Sequence, residues 1–71
     1  MREFLLNNGW IISYECHCGG VHRIEFVKGE IPGAIVKVYP KRGTWRASRK
    51  GRKIGSGVTD NLEIFINGLV A

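Results

Sequence analysis

Apolar and polar residues alternate with a period of two over most of the chain from Trp10 to Val58, and one stretch of helical spacing closes it. Successive side chains on a strand point to opposite faces, so this alternation predicts strands with one buried face. Strands are expected from Trp10 to His17, Val21 to Val27, Ala34 to Tyr39, Thr44 to Arg49 and Arg52 to Val58. The intervening Cys18-Gly19-Gly20, Lys28-Gly29-Glu30-Ile31-Pro32-Gly33, Pro40-Lys41-Arg42-Gly43 and Lys50-Gly51 all have turn or loop composition. Beyond Val58, Leu62, Phe65, Ile66 and Leu69 recur at helical spacing. Asp60-Asn61-Leu62-Glu63 has the spacing of a capping box, and Gly68 is the expected stop. Arg2 to Leu6 reads as an extra edge strand that turns at Asn8-Gly9 into Trp10.

The apolar faces also select registers. In the first hairpin a two-residue Gly-Gly turn would pair Cys16 with Arg23 and Tyr14 with Glu25, mixing apolar and charged positions. A three-residue loop, Cys18 to Gly20, pairs Cys16 with His22, Tyr14 with Ile24 and Ile12 with Phe26, and sets Glu15 opposite Arg23. That register is the one expected. Further on, Val38 should meet Trp45, Val36 meet Ala47, and Ala47 meet Ile54. Lys37, Tyr39, Thr44, Arg46, Ser48 and Lys53 then share the other face. The predicted fold is α+β: a twisted antiparallel sheet of four to five strands, with one C-terminal helix packed on its apolar face. Its 71 residues form a single domain, 1–71. Two Trp, two Tyr and three Phe supply one thin core.

Charge changes the picture most. Eight of the eleven Lys and Arg lie between Lys37 and Lys53, with no Asp or Glu between Glu30 and Asp60. The net charge is +5, yet outside that block three bases face six acids, so the basicity is local. A one-sign stretch repels itself unless something anionic covers it. The expected partner is a nucleic acid or another polyanion. Its contacts would be Lys37, Tyr39, Lys41, Arg42, Thr44, Arg46, Ser48, Arg49, Lys50, Arg52 and Lys53. Cations, hydroxyls and a ring on an open sheet suit phosphate contact and base stacking, and the hairpin tip from Arg49 to Lys53 has the form of a groove-entering ribbon. The alternative is a small protein-interaction or inhibitor protein, of a mobile element or a bacterial family, that binds an acidic partner. A solvated edge whose Lys and Arg block aggregation has the same composition.

No enzyme constellation stands out, and no cofactor is expected. Cys16, Cys18 and His22 are half of a metal-like set, but Cys-x-Cys is shorter than the usual knuckle and no second Cys or His pair follows. A fourth ligand would have to be His17, on the wrong face in this register. A Cys16–His22 nucleophile pair lacks an orienting third group. Folding without metal is the expectation, and a disulfide between Cys16 and Cys18 would be strained by their spacing along an extended strand. The start of the chain lacks the apolar core of a signal peptide, and no run approaches membrane-helix length, so a cytoplasmic protein with no membrane partner is expected.

The stretch Gly43-Thr44-Trp45-Arg46-Ala47-Ser48, then Lys50-Gly51-Arg52-Lys53, then Thr59 leading into a helix, resembles the N-terminal arm-binding domain of phage-type tyrosine recombinases over residues 34–69. The resemblance implies a three-stranded sheet packed on a C-terminal helix and placed in the DNA major groove, with Arg46, Ser48 and Lys53 facing DNA. The chain departs from that pattern in its Gly55/Gly57 strand, and no attached catalytic domain is expected. The front half, Tyr14-x-Cys16-x-Cys18-Gly19-Gly20-x-His22-Arg23, is similar to small uncharacterised proteins of gut Bacteroidetes, a likeness that implies no function.

Overall fold

Five strands follow one another as an antiparallel meander in the order β1-β2-β3-β4-β5, with a helix at each end of the chain. This is a computed structural model, and it describes residues 2–69. The elements are α1 (Arg2–Asn7), β1 (Ile11–Cys18), β2 (Val21–Val27), β3 (Ala34–Tyr39), β4 (Thr44–Arg49), β5 (Arg52–Val58), one turn of 3-10 helix (Thr59–Asn61) and α2 (Leu62–Leu69). The α+β class, the five strands and the C-terminal helix agree with the alternation pattern.

One sheet face is buried and the other is left uncovered. Ile24, Phe26, Ala34, Val36, Val38, Trp45 and Ala47 form the buried face, and Leu5, Trp10, Leu62 and Ile66 close over it, each at most 4% exposed. Both helices therefore cover the same side. On that side the Trp45 and Phe65 rings lie 4.7 Å apart, and Trp45 Nε1 donates to the Val58 carbonyl at 2.8 Å. Gly55 is required beneath them: a Cβ there would sit 2.5 Å from Phe65 Cε1. The glycine of β5 thus lets α2 approach the sheet closely.

The N-terminal segment is a helix, not the expected edge strand. Asn7-Asn8-Gly9 ends a helix here instead of turning a hairpin. Gly9 has φ +87°. Its N–H donates to Leu6 O at 3.2 Å, and the Trp10 N–H donates to Leu5 O at 3.0 Å. These two bonds make a Schellman motif, and the buried Leu5 and Trp10 are the apolar pair that accompanies it. At the other end, the expected capping box does not form. Val58 precedes the 3-10 turn with no side-chain cap. Instead the Thr59 N–H donates to Gly43 O at 2.9 Å, and α2 runs through Gly68 to Leu69.

Two registers differ from expectation. β1 and β2 join through a two-residue turn with Gly19 at φ +57° and Gly20 at φ +82°, so Cys18 pairs with Val21, His17 with His22, Cys16 with Arg23 and Tyr14 with Glu25. A bulge at Ser13 then resets the ladder, and Ile12 meets Phe26 as the core requires. The three-residue loop is thus incorrect near the turn, while the apolar pairing it was chosen to achieve is reached one bulge later. In β5 a second irregularity passes Ile54 over. Ala47 pairs with Gly55 rather than Ile54, and Ile54 is 38% exposed. The β3–β4 pairs Val38–Trp45, Val36–Ala47 and Lys37–Arg46 stand as expected.

Candidate functional site

Strand alternation gathers six of the expected contact residues on the uncovered face. Lys37 and Tyr39 come from β3, Thr44, Arg46 and Ser48 from β4, and Lys53 from β5 opposite Ser48. Ser56, paired with Arg46, joins them and was not anticipated. A slip in the expected β5 register obscured it. Of the two strand carboxylates, Glu15 lies on the helix-covered side and Glu25 on the uncovered face. Glu25 accepts an ion pair from Arg23 Nε at 3.1 Å and is the cross-strand neighbour of Lys37. Lys37 and Arg46 are directly opposite one another, an unfavourable pairing that this single carboxylate offsets only in part.

At one end of this face the sheet twist makes a depression of about 470 Å³. Val21, Tyr39, Arg42, Thr44, Arg46 and Ser56 ring it, with Trp45 and Gly57 completing the lining. Two arginines, a threonine, a serine and a tyrosine therefore border one concavity. Guanidinium forks match phosphate geometry bidentately, and a ring beside them can stack a base.

The remaining expected contacts are distributed differently. Lys41 is exposed in the β3–β4 turn. Arg49 and Arg52 face each other across the β4–β5 hairpin on the side of Ala47, the helix-covered side. Lys50 sits in the turn with φ +52°, its N–H donating to Gly33 O at 3.1 Å. The hairpin tip is basic, but its cations do not share one face with Lys37 and Arg46.

Cys16, Cys18 and His22 do not form a site together. The two-residue turn places both thiols on the uncovered face and His22 on the other, so the ligand set and the Cys16–His22 pair are both excluded by register. The thiols are free and share a 2.8 Å hydrogen bond. Hydrogen bonds from Cys18, the larger cause, and from Tyr14 pull the Cys16 thiol below its ordinary value. The same contact with Cys16 raises Cys18 and Tyr14. The Arg23 guanidinium lies 5.3 Å from the Tyr14 ring centroid.

His22 instead meets Glu15 and His17. Glu15 Oε2 is 2.7 Å from His22 Nε2, 3.5 Å from His17 Nε2 and 2.7 Å from Arg2 Nη2. Hydrogen bonding from His22, and after it from Arg2, holds the Glu15 carboxyl below its ordinary value against the opposing effect of desolvation. None of the described helices is long and apolar enough to cross a membrane. Comparison with protein-family models, with curated proteins and with solved structures finds no match.

Proposed function

We propose that this protein is a non-enzymatic nucleic-acid-binding module that lays its uncovered sheet face along a phosphate backbone. One observation carries the reading. Arg2, Arg23 and Lys28 each have a carboxylate partner, whereas no salt bridge among the described residues reaches any of the eight bases from Lys37 to Lys53. The cations without internal partners are those gathered around the depression and along β3 to β5. Phosphates would supply the missing counter-charge, and Tyr39 offers a stacking surface beside Arg42 and Arg46. The likeness to recombinase arm-binding domains points to the same side chains, Arg46, Ser48 and Lys53. A cytoplasmic location suits such a partner.

The test is a binding titration against duplex DNA and against RNA, with the Arg46→Glu/Lys53→Glu double variant alongside. Arg46 and Lys53 are both exposed, so the variant keeps the fold. It should lose binding on whichever nucleic acid the wild type takes. Undiminished binding by the variant, or no binding by the wild type at low salt, refutes the reading. Binding to an acidic protein and to neither nucleic acid would favour the interaction-module alternative.

A further inference from the structure

On the side of the sheet away from the basic face, two imidazoles and a carboxylate converge. His17 and His22 are cross-strand partners, so the backbone ladder itself holds them together. Their rings stack with centroids 3.8 Å apart and planes 21° from parallel. Stacking presents the same edge of both rings to Glu15, and one ligand atom from each of the three residues lies within 4.8 Å of the others. We propose that Glu15, His17 and His22 form a binding site for a divalent ion of the zinc class, with at least one coordination position left to water.

The chemistry of the set selects the ion. Imidazole suits zinc, copper, nickel and iron, and two imidazoles with one carboxylate leave an open position rather than a closed structural site. Zinc bonds of about 2.0–2.2 Å in tetrahedral geometry hold ligand atoms about 3.3 Å apart. The two carboxylate–imidazole separations, 2.7 and 3.5 Å, bracket that value, and all three ligand atoms lie within 4.8 Å, so closing on an ion requires the stacked His17 and His22 rings to turn toward each other. Arg2 alone would satisfy the Glu15 charge, and it does not account for both Nε2 atoms turning to the same oxygen. The ion displaces Arg2 from that oxygen. Arg2 is 46% exposed and can move into water. None of the three ligands belongs to the buried core, so the ion binds a hairpin that is already folded. The thiols of Cys16 and Cys18 lie across the sheet and take no part.

The experiment is zinc titration of the full chain by calorimetry at neutral pH under reducing conditions, repeated for three variants. The wild type should take one zinc per chain. His17→Ala and Glu15→Gln should each weaken binding by at least about tenfold, since even outer-shell changes cost that much. Cys16→Ser/Cys18→Ser should bind as the wild type does, and cobalt substitution should show no thiolate charge-transfer band. His17 is 65% exposed, so its variant stays folded, and a melt without metal verifies this. No zinc uptake at millimolar concentration, or binding that survives His17→Ala and disappears with the cysteines, overturns the proposal.

Discussion

Adding a single methyl group at Gly55 tests how α2 is seated on the sheet. Gly55 does not have a positive φ. Elsewhere on a strand, Gly→Ala at such a position would be stabilising by about 0.4–1 kcal/mol, because the unfolded chain loses freedom. Here the new Cβ meets Phe65 Cε1 at 2.5 Å and Cδ1 at 2.9 Å. The ring cannot simply withdraw, because it packs on Trp45 at 4.7 Å. Overpacking of this kind costs about 1–3 kcal/mol, which exceeds the entropic gain. Gly55→Ala should therefore destabilise by about 1–2 kcal/mol net. With a urea slope of about 1 kcal/mol/M for so small a domain, the midpoint falls by about 1–2 M. Phe65→Leu removes the far edge of the ring, so in that background the same change should cost little or become favourable. The double-mutant cycle then gives a coupling energy of about 1–3 kcal/mol. A more stable Gly55→Ala in the wild-type background would refute the close approach, and with it the assignment of which sheet face α2 covers.

Trp45→Ala should cost about 3–5 kcal/mol, by equilibrium denaturation, because a nearly buried ring and its bond to the Val58 carbonyl are lost. At about 0.05–0.15 kcal/mol per residue the whole domain has only about 4–11 kcal/mol to lose, so the variant should be largely unfolded or close to it. A fully folded Trp45→Ala protein with weakened binding would instead place the ring on the binding face. Glu15 makes stability pH-dependent with a defined sign. Its folded pKa lies below the ordinary 4.5, so its contribution is complete above that value and is lost as pH falls through the folded value. Acid titration of stability from about pH 5 downward should therefore be shallower in Glu15→Gln than in wild type, and identical slopes would contradict the His22 and Arg2 contacts.

The core face was legible because burial on one side imposes strict alternation. Val36, Val38, Trp45 and Ala47 leave no other register for β3 and β4. The basic face followed from it, since Lys37, Arg46 and Ser48 must point away from those residues. Other features were not legible in this way. Asn7-Asn8-Gly9 supplies a positive φ equally well to a hairpin turn and to a helix C-cap, and only the burial of Leu5 with Trp10 decides between them. The first hairpin obeys its turn near Gly19-Gly20 and its core near Ile12, and the bulge at Ser13 reconciles the two. Alternation alone demands one register throughout. That choice also hid the Glu15, His17 and His22 cluster, because it put His17 across the sheet from His22. The signal that finds the cluster is the two-residue turn, which makes His17 and His22 partners and Glu15 their neighbour two residues along the same face. Ser56 was missed for the related reason that Ile54 bulges out of the β5 ladder.

The central claim is that phosphates supply the counter-charge for the unpaired bases, and the salt dependence of binding measures that directly. Lys37, Arg42, Arg46 and Lys53 are the cations on the uncovered face and its depression that no salt bridge among the described residues reaches, Arg23 being paired with Glu25. If each neutralises one phosphate of duplex DNA, the logarithm of the binding constant should fall against the logarithm of salt with a slope of about −3.6. Affinity should then drop about 150-fold between about 50 and 200 mM salt, and Arg46→Glu/Lys53→Glu should bring the slope to about −1.8 or abolish binding altogether. A wild-type slope near zero, or a double variant with the affinity and slope of the wild type, would contradict the account.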